Sequence, residues 1–207
     1  FAFTGLVTVK ADDLRAIVKP YVGRPFSLDI LWEAQAKLFA LDSFESIEPN
    51  ANPADDARSA VIIEFAVVER PTVAAVEVSG NAGVRTAEIL DKVVLKAGDL
   101  ANPGTLASDE QAVRALYLDK GYTDVTVSAS TAPGDAPGTV KVLFRVSEGL
   151  PTTIREVRFS GNSFASDTTL RNLMKTKAQG LFNPGVFQEQ KLAEDSAAIV
   201  EYYGSKG

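Results

Sequence analysis

One phrase returns along this chain at intervals of about 80 residues, and internal repetition on that scale dictates a string of similar modules rather than one large core. Val76-Glu77-Val78-Ser79-Gly80-Asn81 reappears as Val157-Arg158-Phe159-Ser160-Gly161-Asn162, and a worn copy, Phe3-Thr4-Gly5-Leu6, opens the chain. A second anchor, Tyr117 followed by Gly121-Tyr122, answers to Phe39 with Ser43-Phe44 and to Tyr203 with Gly207. A third, Phe144-Arg145-Val146-Ser147-Glu148, answers to Phe65-Ala66-Val67-Val68-Glu69. The anchors keep their order, so unit boundaries are expected near Pro71 and Pro151: residues 1–71, 72–151 and 152–207. The third unit is expected to lack its last two strands, and both ends read as cut from a longer chain. No Gly/Ser linker separates the units, which predicts restricted angles between neighbours.

Within the middle unit, Val73, Val76 and Val78 predict a strand ending at the turn pair Gly80-Asn81. A helix is expected from a Thr86 cap through Ile89, Leu90, Val93 and Val94 to a stop at Gly98. After Asn102-Pro103-Gly104, the residues Leu106, Val113, Leu116 and Tyr117 share one helical stripe. Its counterparts are Leu28, Gln35, Leu38 and Phe39 in the first unit and Leu192, Ile199, Tyr202 and Tyr203 in the third. Period-two alternation then predicts a strand over 122–127, a proline-containing loop over 131–138, and a final strand carrying Val140, Val142, Phe144 and Val146 on one face. In the first unit that face is Val61, Ile63, Phe65 and Val67. The expected fold class is α+β: tandem β-α-α-β-β repeats, each a three-stranded mixed sheet covered on one face by two helices.

Composition removes most catalytic readings. With no His and no Cys among 207 residues, Ser-His-Asp and Cys-His centres are excluded, disulfides cannot form, and zinc would depend on carboxylates alone. A net charge of −6 argues against a nucleic-acid surface. The acidic pairs Asp12-Asp13 and Asp55-Asp56 are sequence neighbours and form no acid/base pair across a substrate; Asp12 reads as a helix N-cap and Asp55-Asp56 as loop. Gly180-Leu181-Phe182-Asn183-Pro184-Gly185 lacks the Lys and Ser/Thr of a P-loop. No enzyme, cofactor or metal is expected.

The junctions Phe65 to Asn81, FAVVERPTVAAVEVSGN, and Phe144 to Asn162, FRVSEGLPTTIREVRFSGN, resemble those between tandem POTRA (polypeptide-transport-associated) domains of the barrel-assembly, or BamA, family within the Omp85 superfamily. The resemblance covers essentially the whole chain and places it as the first three domains. Ser43 stands where the family's aromatic-Gly-aromatic element has glycine in the first unit. Membership implies a periplasmic array joined in the parent protein to a membrane β-barrel of the bacterial outer membrane. Its implied partners are unfolded outer-membrane proteins, accessory lipoproteins of the assembly complex and periplasmic chaperones, with no enzymatic role. The POTRA region of a two-partner secretion or other Omp85-type transporter stays open as an alternative, as does a cell-division-type scaffold.

A three-stranded sheet has two edges whose unpaired peptide groups can accept an extended chain by β-augmentation. In related POTRA domains the strand after the second helix is the usual edge, which maps to Phe44 to Pro49 and Tyr122 to Ser128. The candidate partner-binding residues are Phe44, Ile47, Tyr122, Val125 and Val127. The plainer reading of Val125 and Val127 is core facing the helices, with binding by backbone alone. Tyr117 and Tyr203 read as core with hydroxyls at a wet rim, Gly80 and Gly161 as turn glycines, Glu69 and Glu148 as strand-end surface, and Trp32 as partly buried.

Overall fold

A computed structural model describes residues 1–57 and 59–206 and contains mixed α and β structure built on two three-stranded sheets. The elements run β1 (Ala2–Thr4), α1 (Ala11–Val18), α2 (Leu28–Phe39), β2 (Phe44–Pro53), β3 (Val61–Glu69), β4 (Thr72–Ser79), α3 (Thr86–Leu90), α4 (Pro103–Asp119), β5 (Thr126–Pro133), β6 (Thr139–Ser147), α5 (Asp167–Leu173) and α6 (Glu189–Gly204). The sheet orders are β1-β3-β2 and β4-β6-β5, so each places its last strand in sequence at the centre. The fold is α+β, as the alternation predicted. The chain falls into two compact units, Phe1–Glu77 with Leu95–Leu106 and Ser130–Val142, and Val78–Val94 with Ala107–Ala129 and Leu143–Gly207.

In the first sheet β1 runs parallel to β3, with Phe3 opposite Phe65, and β2 runs antiparallel to β3, with Ile47 opposite Val67. Ile63, Phe65 and Val67 are buried by the period-two rule and meet Leu14 and Val18 of α1 and Leu31, Ala34 and Leu38 of α2. Phe1 and Phe3 stack on Phe65 at 5.9 and 5.8 Å between ring centroids. Ser27 caps α2, its hydroxyl accepting the Ile30 N–H at 3.3 Å. Helix α1 starts differently from expectation. Lys10 occupies the cap, while Asp12 sits in the first turn and pairs with Arg15 at 2.7 Å, favoured there by the positive end of the helix dipole.

The predicted α2 stripe is also displaced. Leu38 is fully buried, yet Leu28 and Phe39 are exposed, and Trp32 stands 58% exposed rather than partly covered. The face that packs is Leu31, Ala34 and Leu38, one residue round from the assumed register. In the middle repeat the stripe holds: Val113 and Tyr117 are buried, and Leu106 and Leu116 half-buried. In the third repeat Leu192 is exposed, and Ile199, Tyr202 and Tyr203 are half-buried. Gly207, the expected third copy of Gly121, lies outside the described residues.

Helix α3 ends at Leu90 rather than at Gly98. Beyond it Val93 and Leu95 are each 3% exposed while Val94 is 69% exposed, the alternation of an extended segment. The buried Asp109 of α4 accepts the Val94 N–H at 2.8 Å, giving the unwound chain a partner that helix would have supplied. The third repeat repeats the device with Asp195, whose two carboxylate oxygens accept Lys175 N–H at 2.6 Å and Thr176 N–H at 2.9 Å. Residues 157–160, expected as a strand, pair with no strand among the described residues.

Candidate functional site

The candidate site is the free margin of each sheet, and its peptide directions follow from the register. At the ends of β2, Ser43 C=O accepts Arg70 N–H and Ala54 N–H donates to Ala60 C=O, so these positions face β3. With the irregularity between Phe44 and Ser46, alternation turns the peptide groups of Ile47, Pro49, Ala51 and Pro53 outward. Two of those four are prolines and offer no N–H. The Gln35 side-chain amide of α2 donates to Ile47 C=O at 2.8 Å, occupying an outward acceptor. Strand β2 is thus a blunted edge, the usual protection against stray pairing.

Strand β5 has the same parity and different chemistry. Gly134 N–H donates to Thr139 C=O at 2.9 Å across the hairpin, which turns Val127, Ala129, Thr131 and Pro133 outward. Ala129 N–H confirms that direction by donating to Glu110 of α4 at 2.7 Å. Proline is confined to the last outward position, so donors remain along the strand. The opposite margin of this sheet, β4, is covered at its start. Val73 N–H donates to Asp99 C=O and Val73 C=O accepts Gly98 N–H, each at 2.8 Å.

The predicted residues divide between these margins. Phe44 (1% exposed) and Ile47 (4%) belong to β2 with side chains in the core, and Val125 (3%) lies just before β5, its N–H donated to Tyr122 C=O. Tyr122 sits in the turn and packs edge-on against Tyr117, with ring centroids 5.4 Å apart. Val127 alone of the five combines a place in β5 with an outward peptide group. The strands are shifted from expectation: β2 continues to Pro53, and β5 occupies 126–133 instead of 122–127. Pro49 is carried inside β2, and Pro53 and Pro133 are the last residues of their strands, because each lies on the outward side, where no ladder bond is lost.

Sequence reading missed Gln35 and Glu110 as edge contacts, and it took the third-anchor glutamates for surface. Glu69 instead accepts N–H bonds from Val7, Thr8 and Val9 at 2.8 to 3.2 Å, plus the Thr8 hydroxyl. Glu148 accepts those of Ala82, Gly83 and Val84 at 2.8 to 3.2 Å and the Tyr117 hydroxyl at 2.8 Å. Three consecutive N–H groups form an anion-binding concavity, and each glutamate fills one, fastening the loop after the first strand of its sheet to the end of the central strand. The signal was present: the same residue type recurs at the same anchor.

Burial works against charge on Glu69 and Glu148, but the converging donors outweigh it and hold both carboxyls below the usual glutamate range. Asp195 is lowered by the same balance of burial against the Thr176 and Lys175 donors. Groups lowered on folding stabilise the native state above their unfolded pKa values, and that contribution disappears as pH falls through the folded ones. Stability in urea is therefore expected to be flat from neutrality to about pH 5 and to drop below about pH 4. Glu69→Gln with Glu148→Gln should flatten the drop; an unchanged acid limb in that variant contradicts the assignment.

Comparison with known proteins adds a family likeness. The model of the POTRA family, described as surface antigen variable number repeat, matches residues 71–149 and 152–207, more than half of the chain. A curated protein of Treponema pallidum is 32% identical over 206 residues, covering 100% of this chain and 24% of that protein. The outer membrane protein assembly factor BamA of Nitratidesulfovibrio vulgaris is 24% identical over 170 residues, covering 80% of this chain and 21% of its own length. The chain spans about a quarter of the length of the curated relatives it matches. Among solved structures, the N-terminal domain of Omp85 from Thermosynechococcus elongatus is 18% identical, with a TM-score of 0.47, covering 97% of this chain and 83% of that one.

Proposed function

The chain belongs to the POTRA family and is of the BamA type, and from that premise we propose that it is the periplasmic, substrate-receiving part of an outer-membrane protein assembly machine, holding extended client chains by β-augmentation along β5. The observation that carries the reading is the outward direction of the Val127 and Ala129 peptide groups on a strand where proline is confined to the last outward position. Backbone recognises backbone, so one margin can serve clients with unrelated side chains, and affinity stays weak enough for hand-over. No acid, base or nucleophile is required, which makes the role non-catalytic.

Three POTRA domains at 1–71, 72–151 and 152–207, clients that are unfolded outer-membrane β-barrel proteins, docking of accessory lipoproteins, and delivery by periplasmic chaperones complete the proposal. No helix among the described residues is long and apolar enough to cross a membrane.

An NMR titration with peptides from outer-membrane β-strands tests it. Val127→Ala should retain amide perturbations over 126–130, whereas Val127→Pro should lose them while keeping the dispersed spectrum of a folded chain. Proline at Val125 is a poorer probe, because it removes a buried side chain and a turn hydrogen bond. Undiminished binding by folded Val127→Pro would reject the β5 margin.

A further inference from the structure

Resting on that reading of β5, we propose that Glu110 is a latch on the strand margin, which an incoming chain must displace, and that it makes the site prefer clients carrying a basic residue beside the Ala129 pairing position. The geometry is specific. Glu110 lies on α4, half-buried, and its carboxylate accepts the Ala129 N–H at 2.7 Å. That donor points away from β6, so it is one an added strand would use. A carboxylate bond to a peptide N–H is stronger than the carbonyl bond a client offers in exchange. The latch therefore lowers affinity for every extended chain and keeps the margin from pairing with chance strands.

Displacement has a second consequence. Once Ala129 N–H passes to the client carbonyl, the Glu110 carboxylate is left beside the new strand without that donor. A client Lys or Arg at the adjacent position supplies a replacement, whereas Asp or Glu there meets a like charge. Selection is then by charge at one register position, on top of a backbone contact that reads no sequence.

The first sheet uses the opposite group at its margin. Gln35 covers an acceptor, the Ile47 carbonyl, and cannot be left as an uncompensated charge when moved. With Pro49 and Pro53 removing two outward donors as well, β2 is closed by construction, whereas β5 is closed by a group that can move.

The test compares the wild-type chain with Glu110→Ala and Glu110→Gln. Amide exchange at Ala129 reads the latch itself: slow in the wild type, intermediate in Glu110→Gln and fast in Glu110→Ala. Rapid exchange in the folded wild type overturns the proposal. Titration with two strand peptides, identical except for Lys or Glu at the position beside the Ala129 pairing, reads the gate. Glu110→Ala should bind both about tenfold more tightly than the wild type binds the Glu peptide, and the wild-type preference for Lys should vanish. A folded Glu110→Ala chain that binds no more tightly, or keeps the Lys preference, overturns the latch while leaving strand addition intact. If no variant, Glu110→Ala included, binds either peptide, both the latch and the reading beneath it fail.

Discussion

Gly80→Ala is expected to cost at least about 3 kcal/mol, a large part of the stability of a small domain, measured as a fall in the urea midpoint. Two terms add. Gly80 has φ +83°, where an L side chain costs about 1 to 2 kcal/mol. Its new Cβ would also fall on the Val146 carbonyl oxygen, well inside contact distance, and backbone cannot rotate aside as a side chain can. Either β4 and β6 separate or the turn leaves its conformation. Gly161, the same motif in the third copy, supplies the control: it has φ +74° but nothing within 4 Å of the added carbon. Gly161→Ala should therefore cost only the conformational term, about 1 to 2 kcal/mol. Equal losses at the two positions would show that close approach is not what the motif protects.

Glu148→Ala should be nearly as damaging, at about 3 kcal/mol, because it orphans more than one donor. The N–H groups of Ala82, Gly83 and Val84 lose their acceptor, and the Tyr117 hydroxyl, on a ring with no exposed surface, loses its partner. That hydroxyl is pushed above the usual tyrosine pKa by burial and then by the adjacent carboxylate, so ionisation offers no escape at neutral pH. Combining Glu148→Ala with Tyr117→Phe should cost less than the sum of the single losses, by about 1 to 2 kcal/mol. Strict additivity in urea unfolding would mean that the bond contributes nothing to the clamp. Glu69→Ala, whose carboxylate meets the Thr8 hydroxyl instead of a buried phenol, should lose less.

The repeat made the fold class legible because each copy spends the same residue types on the same physical tasks. Glycine at position 80 tolerates positive φ against a neighbouring carbonyl, and Val142, Phe144 and Val146 alternate because one sheet face is buried. Helix α3 was misread because Val93, Val94 and Leu95 fit either period; the decision lay with Asp109, an acid buried on an apolar stripe fifteen residues later. Alternation located β2 and β5 without fixing their ends, and β2 runs through a proline. Its effect depends on which side the missing N–H faces, and that is a property of pairing.

The margins were legible as strands from alternation and as edges only through the family resemblance, and the sheet orders do place β2 and β5 at the edges. Phe44, Ile47 and Val125 lie on the stretches expected as edge strands, yet the core consumes their side chains, and the feature that matters at Val127 and Ala129 is peptide direction. Gln35 appeared only as the polar exception in an apolar stripe, and its bond to Ile47 explains why that exception is tolerated half-buried. Glu110 carries no local signal at all, since a glutamate on a helix is ordinary until a strand margin is placed under it.

The most direct measurement is an isotope-filtered NOE experiment on the chain with a bound strand peptide, reading backbone proton contacts between the two. Strand addition predicts a ladder of peptide backbone contacts to Val127 and Ala129 at two-residue intervals, with none to β2. Contacts confined to helix side chains, or a ladder on β2 in place of β5, would contradict it.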